Sequence, residues 1–487
     1  MPPQLIPSEE RATEMSGDAL VVAAFAADDG PALAGAGSDL DAALDGRLSE
    51  HLRAISFKAR VGDVTLVPTL GRLRAQTIAV AGLGPRDSAG PTEVRRAAGA
   101  AARALCERAT VVCALHDSVD GSAAAAAEGL ALGAYRFAGY KSKPRAGRLE
   151  RALLPGARVD DTERAAALAD ATILARDLTN EPASTMTPDA LAARAREVAH
   201  AHRLECAVAD ERELAERGFG GIVAVGKGSA QPPRLIELRH RPDGARGRVV
   251  LVGKGVTFDS GGLTLKQGAS MTTMKTDMAG AAAVIGAMSA LPRLGVALDV
   301  TAIVPAVENM PDGGAVRPGD VVHHYGGRTS EVISTDAEGR LILGDALAYA
   351  CEMEPDAVVD VATLTGAISI ALGPRAGGLF SNDDALSAEL RDAGERAGQL
   401  LWPMPTIDAY LRDGESEVAD LRNSATSGGG AIYAALFLRS FVPRGVPWAH
   451  LDVAGMARAE RDYDEVSKGA TGIPARALLT WIERRQA

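Results

Sequence analysis

Seven residues in two short stretches of this 487-residue chain have types and spacings that could do chemistry. Lys254, Asp259, Lys266 and Asp277 fall in the first stretch; Asp336, Glu338 and Arg340 fall in the second, within S-T-D-A-E-G-R-L. Carboxylate oxygens are good ligands for hard cations, and glycine-rich turns let several of them converge. Four carboxylates and two lysines placed in this way could hold a pair of divalent cations without any histidine. Such a layout is a catalytic one.

The use of lysine sharpens the point. Arginine outnumbers lysine 44 to 8, yet Lys254, Lys266 and Lys275 fall within 22 residues. Arginine keeps its proton, whereas a lysine can be driven neutral by burial or by a metal. Taken singly, each candidate has a plainer reading. Lys254 or Lys266 could be a surface charge, Asp277 a helix-start acid and Arg340 a salt-bridge partner. Thr335 to Glu338 could be a capping box before the apolar run Leu341–Tyr349. Their joint occurrence has no common structural cause, and that favours a site.

Elements able to position these residues are visible around them. Apolar runs at Arg234–Leu238, Arg248–Val252, Leu298–Val304, Ala357–Val361 and Ala449–Val453 alternate with helix-period segments. This is the rhythm of a mostly parallel sheet buried on both faces, where ligands bind at the carboxyl ends of strands. Lys254 and Asp259 follow the second run directly. Earlier strands are predicted at Ala19–Phe25, Val64–Val67, Thr77–Ala81 and Thr110–Leu115, with helices near Thr92–Arg108 and Ser122–Tyr135. A helix over Asp161–Leu178 is closed by Asn180-Glu181-Pro182, and Thr187-Pro188-Asp189 starts the next. The length exceeds what one core supports. The predicted organisation is therefore α/β in two domains: residues 1–160, a linking helix and connection over 161–190, and a catalytic domain over 191–487.

A net charge of -11 and a pI near 5.4 argue against a dominant nucleic-acid-binding surface, although a local basic patch stays open. Cys106, Cys113, Cys206 and Cys351 form no C-x-x-C and are expected to be buried thiols in a reducing compartment. The N-terminus has no basic segment leading into an apolar core, and no apolar run reaches the roughly 18 residues that span a bilayer. A cytoplasmic protein without a membrane partner is expected. Gly221 to Gly228 misses a P-loop because Gly228 stands where Ser or Thr is required, and Asp259-Ser260-Gly261-Gly262 is not a nucleophile elbow. No H-E-x-x-H occurs, and His323-His324 lacks a third ligand at a recognisable spacing.

The segments V-G-K-G-V-T-F-D-S-G-G, the L-T-L-K that follows, K-T-D-M-A-G-A-A-A-V and S-T-D-A-E-G-R-L together resemble the cytosol (leucyl) aminopeptidase family. Further matches are Y-K-S-K (Tyr140–Lys143), D-L-T-N-E-P (Asp177–Pro182), A-T-L-T-G-A (Ala362–Ala367), S-E-V-A-D-L-R-N (Ser416–Asn423) and H-L-D-V-A-G (His450–Gly455). The resemblance is strong from about Tyr135 onward. Two positions depart from it: Ser334 stands for the usual Asn of N-T-D-A-E-G-R-L, and Ala279 for the first Gly of D-M-G-G.

The resemblance implies two divalent metal ions per subunit, Mn2+ or Zn2+, bridged by Asp259 and Glu338. Lys254 and Asp277 would complete one site and Asp336 the other. It further implies Lys266 as the donor to a developing oxyanion, and Arg340 as the holder of a bicarbonate acting as general base. The pocket for the substrate's first side chain would involve Met274, Ser334, Thr363 and Ala454. Serine is shorter than asparagine, which would leave room for Met or Phe beside Leu. An N-terminal macro-like domain serving assembly or regulation and a homohexamer of two trimers are implied as well. The expected activity is metal-dependent release of N-terminal residues, preferably leucine and other apolar ones, from peptides. A dinuclear phosphoesterase and a DNA-binding or regulatory scaffold are the competing readings.

Overall fold

The computed structural model describes residues 2–143, 149–425 and 428–486. The chain divides into two compact units, Met1–Ile173 with Ala459–Gly469, and Leu174–Arg458 with Ala470–Ala487. The division falls inside one helix, Val159–Asn180, which ends where the Asn-Glu-Pro sequence predicts. Thr187 then caps the Pro188–His202 helix by accepting from the Ala190 N–H.

The first unit contains strands β1 (Gln4–Ser8), β2 (Ala19–Ala26), β3 (Ala32–Ala34), β4 (Val64–Pro68), β5 (Thr77–Pro85), β6 (Thr110–Cys113) and β7 (Arg151–Pro155). They form one sheet in the order β1-β7-β6-β2-β5-β4, with β3 beside β2. The centre is parallel and β4 is an antiparallel edge. Helices Pro91–Ala104 and Ala123–Ala134 meet at the glycine–alanine faces that the composition favours. A Cβ on Gly133 would stand 2.2 Å from the Gly99 carbonyl oxygen, so the two backbones nearly touch.

The second unit contains β8 (Glu205–Ala209), β9 (Arg234–His240), β10 (Arg248–Gly253), β11 (Gly255–Asp259), β12 (Asp299–Asn309), β13 (Val321–His323), β14 (Thr329–Glu331), β15 (Ala357–Ala362), β16 (Gly377–Ser381), β17 (Leu401–Pro403), β18 (Leu421–Arg422) and β19 (Trp448–Asp452). Its main sheet runs β17-β16-β19-β15-β10-β12-β9-β8, with β11 continuing alongside β12. All five predicted strands are present. The edge strand β8 and the strand β16, which lies between β17 and β19, are short and carry polar or glycine residues, and were not predicted. The chain leaves β10 toward β12 on one side and later returns to β15 on the other, so the carboxyl end of β10 is a topological switch point.

Every residue of the Ala279–Ala290 helix is buried, as its all-round apolar sequence requires. Ala279 has an ordinary helical φ of -62°, so a side chain costs nothing there. At Gly280, by contrast, a Cβ would stand 2.1 Å from the Val361 carbonyl oxygen. One of the two family glycines is thus replaceable, and the other sets the distance between helix and sheet. Gly280→Ala is expected to destabilise the protein by about 1–3 kcal/mol through overpacking. An unchanged midpoint in thermal or denaturant unfolding would show that the helix can move outward freely.

One correction to the sequence reading follows. Of the four free thiols only Cys113 is fully buried, with burial pushing its pKa up to about 12; Cys106, Cys206 and Cys351 are half-buried. Gly221 and Gly226 of the rejected P-loop match lie in the helix Gly220–Gly226, and Gly228 lies beyond it.

Candidate metal centre

β10 and β11 pair with β12 in one continuous register, Val252 opposite Ile303 and Gly255 opposite Ala306. The register then slips between Val256 and Phe258. Lys254 and Asp259 are five residues apart, which in a regular strand would point them to opposite faces. The bulge absorbs one residue and restores an even spacing. Asp259 thereby joins Lys254 at the carboxyl end of the strand, and Gly261 and Gly262, with φ of 86° and 61°, turn the chain back so that Lys266 returns to it.

Four carboxylates and two ammonium groups meet there. Lys254 Nζ lies 2.8 Å from Asp277 and 2.8 Å from Glu338, and donates to the Thr363 carbonyl at 3.1 Å. Lys266 Nζ lies 2.8 Å from Asp259 and also pairs with Asp336. Burial opposes the charge of both lysines, but the surrounding carboxylates outweigh it and raise both pKa values. Burial, joined by repulsion from neighbouring carboxylates, raises Asp259 and Asp277, the latter well above the usual range. Asp336, raised chiefly by burial, is the exposed member.

Partners outside the cluster fix which oxygen each carboxylate offers. Asp259 Oδ1 accepts from the Gly261 N–H at 2.8 Å and from Asn309 Nδ2 at 2.9 Å. Asp277 Oδ1 accepts from Thr363 Oγ1 at 2.8 Å. Glu338 Oε2 is buried without a hydrogen-bond partner among the described residues. Arg340 donates from Nη1 to the Asn423 carbonyl at 2.7 Å, its Nε is buried and unpartnered, and burial lowers its pKa.

The capping-box reading is not realised. Glu338 stands at the N-cap of the Gly339–Cys351 helix and makes no side-chain cap bond. Thr335 instead donates to the Gly261 carbonyl at 2.6 Å and accepts from the Thr264 N–H at 2.7 Å, which joins the two active stretches. Of the pocket candidates, Thr363 is committed to Asp277 and Lys254, and Ser334 Oγ accepts from the Asp336 N–H at 3.2 Å. Met274 opens the short helix that carries Asp277, and Ala454 donates weakly to Asp452. His324 is sealed between Asp345 and Ser330 at 2.9 and 2.7 Å, so both ring nitrogens are used. Sequence reasoning assigned no role to Asn309 or Asn423: nothing local marks Asn309, and the S-E-V-A-D-L-R-N match that Asn423 closes does not tell which segment its amide binds.

Ligand-capable oxygens of Asp259, Asp336 and Glu338 lie within 4.8 Å of one another. Carboxylates this close repel one another unless cations are present. With the unpartnered Glu338 oxygen, this donor set fits hard divalent ions. Fold and site together define a carboxylate–lysine centre at the switch point of a buried α/β sheet.

Comparison with known proteins carries this further. Residues 173–479 match the catalytic-domain model of the cytosol aminopeptidase family, and residues 21–144 match the N-terminal-domain model of the same family. A probable cytosol aminopeptidase of Streptomyces coelicolor is 42% identical, with 98% of this chain and 97% of that protein covered. One of Geobacter sp. strain M21 is 42% identical, with 98% and 99% covered. Among solved structures, the bottromycin maturation enzyme BotP in complex with Mn is 43% identical, with a TM-score of 0.87 over 97% of this chain and 100% of that one. A mutant of tomato leucine aminopeptidase is 34% identical, with a TM-score of 0.89 over 99% and 96%. The chain belongs to the cytosol aminopeptidase family and is a hydrolase of that family. No helix among the described residues is long and apolar enough to cross a membrane.

A Cβ on Gly339 would stand 2.7 Å from Lys254 Nζ. Gly339→Ala is expected to push the ammonium off Asp277 and Glu338 and to lower kcat/KM by about tenfold or more, the usual cost of disturbing a ligand's support. Parent-like activity in a folded variant would show that the lysine has room to step aside.

Proposed function

We propose that the chain is a two-metal aminopeptidase that releases N-terminal leucine and other apolar residues from peptides. The observation that carries this reading is the seating of two ammonium groups among four carboxylates, with Lys254 on Asp277 and Glu338 and Lys266 on Asp259 and Asp336. The manganese named in the BotP complex supports it.

Asp259 and Glu338 would be shared by the two ions, with Lys254 and Asp277 completing one site and Asp336 the other. When bound, the ions supply Lewis acidity that activates a water, holds the substrate's free α-amine and polarises the scissile carbonyl. An internal peptide bond offers no such amine, so cleavage is confined to the first residue. Lys254 must be neutral to act as a ligand, and removing its proton at pH 7 costs roughly 4–5 kcal/mol from the reference pKa of an ordinary lysine. The amine also gives up two carboxylate partners, so that cost is a lower bound. Lys266, kept protonated by Asp259 and Glu338 against the effect of burial, donates to the oxygen that gains charge during attack.

Thr363 and Asn309 each occupy one oxygen of a ligand carboxylate, which leaves the other oxygen of Asp277 and of Asp259 for a cation. Arg340, tied through Nη1 alone, keeps Nε for a planar oxyanion such as bicarbonate. Met274, Ser334, Thr363 and Ala454 would border the pocket for the first side chain, and the short Ser334 leaves it room for Met and Phe. We further infer a cytoplasmic homohexamer, with residues 191–487 catalytic, 161–190 connecting, and 1–160 serving assembly or regulation.

Leu-amide compared with N-acetyl-Leu-amide on the Mn2+-loaded protein tests the reading. Only the free-amine substrate is expected to be cleaved, and comparable rates on both would sink the aminopeptidase assignment. Lys266→Ala is expected to lose about 10²–10³-fold in kcat, as for a lost oxyanion donor, with its metal content unchanged. A fully active variant would take Lys266 out of the mechanism.

A further inference from the structure

Asn423 is fully buried and follows β18, whose parallel pairing with β14 fixes it to the small three-stranded sheet. Every polar end of its side chain is used. Oδ1 accepts from the Ile333 N–H at 2.7 Å and from the Ser334 N–H at 3.2 Å. Nδ2 donates to the Ser334 carbonyl at 2.7 Å and to the Ala337 carbonyl at 3.2 Å. Its backbone N–H donates to the Glu331 carbonyl at 2.9 Å, and its own carbonyl receives Arg340 Nη1 at 2.7 Å.

An asparagine amide has two donors and two acceptor sites, so this one is saturated by a single five-residue stretch of backbone. That stretch carries Asp336 and runs directly into Glu338. One residue therefore holds the segment bearing two of the four carboxylates and, through its main chain, the arginine beside them.

From this geometry we infer that Asn423 is a positioning residue for the reaction: it sets where the Asp336 and Glu338 oxygens stand relative to Lys254, Lys266 and Arg340. The inference rests on the two-metal reading for its consequence, not for its geometry. Aspartate is the informative substitute, because it matches asparagine in shape and can still accept from Ile333 and Ser334. In place of Nδ2 it sets an oxygen against the carbonyls of Ser334 and Ala337, which pushes away the part of the loop that leads to Asp336 and Glu338.

The test uses the full-length protein with Mn2+ alone as the probe. In Asn423→Asp the apparent Mn2+ dissociation constant is expected to weaken by about 10–100-fold, with kcat for Leu-amide falling comparably and KM nearly unchanged. In the metal-free protein, amide hydrogen exchange across residues 331–338 is expected to accelerate. Asn382→Asp is the control for the substitution itself, because the exposed Asn382 also bridges backbone, to Val446 and Trp448, away from the centre. That variant is expected to lose stability while keeping parental Mn2+ affinity.

Parent-like Mn2+ affinity and kcat in folded Asn423→Asp would overturn the inference, as would an equal loss of affinity in Asn382→Asp. Should Asn423→Asp fail to fold, Asn423→Ser, which brings in no charge, faces the same readouts with the same outcomes expected. A parent protein that takes up no Mn2+ would defeat the two-metal reading alone, and an unchanged kcat and exchange pattern in the variant would still overturn the role of Asn423 separately.

Discussion

Four carboxylates crowded at the end of a buried strand impose one condition on everything near them: positive charge must be present. In this chain Lys254 and Lys266 meet it, each ammonium bridging two acids. Three of the four acids are nearly sealed from water, and burial with repulsion from neighbouring carboxylates raises the pKa values of Asp259 and Asp277. A cluster of this kind is held under electrostatic tension. Divalent cations would relieve it better than two monovalent ammoniums, in keeping with the proposed two-metal reading.

Holding that tension requires a rigid frame, and the frame is built from close backbone approaches. Gly280 lets the buried Ala279–Ala290 helix lie on β15, and Gly339 makes room for the Lys254 side chain. The Lys254 carbonyl receives the Ala281 N–H at 2.9 Å, so the same helix start that packs on the sheet also pins the lysine's backbone. Neutral donors then take up the outward oxygens. Thr363 and Asn309 each bind one oxygen of an acid and leave its partner oxygen facing the cluster. Packing and charge are thus coupled, and loosening the helix would move a ligand.

The asparagines join segments that are distant in sequence. Asn309 links Asp259 to the Thr335 carbonyl at 2.9 Å, and Asn423 links β18 to the stretch before Glu338. Both are uncharged, so they add no further electrostatic cost to a site that already has too much negative charge. A lysine or arginine in either place would compete with the cations for the carboxylates.

Much of this was legible in the sequence. The apolar runs predicted the central strands because a strand buried on both faces must be apolar throughout, and the rarity of lysine outside Lys254–Lys275 singled out the site. The family motifs, which fix residue type and spacing, supplied the rest of the proposed ligand set. What the sequence could not give was direction. Lys254 and Asp259 sit at an odd spacing, and only the slip in pairing with β12 brings them to one side, a fact that belongs to two strands together. The capping-box pattern at Thr335 to Glu338 was satisfied in sequence and unused in space, since Thr335 found better partners at Gly261 and Thr264. Asn309 carried no local signal, and Asn423 closed the S-E-V-A-D-L-R-N match without any sign of which segment it would bind. Residue types and their periodicity determine which groups are available and which faces are buried; which groups meet is decided by register and turns, because hydrogen bonds between distant segments form only after the sheet has set their positions.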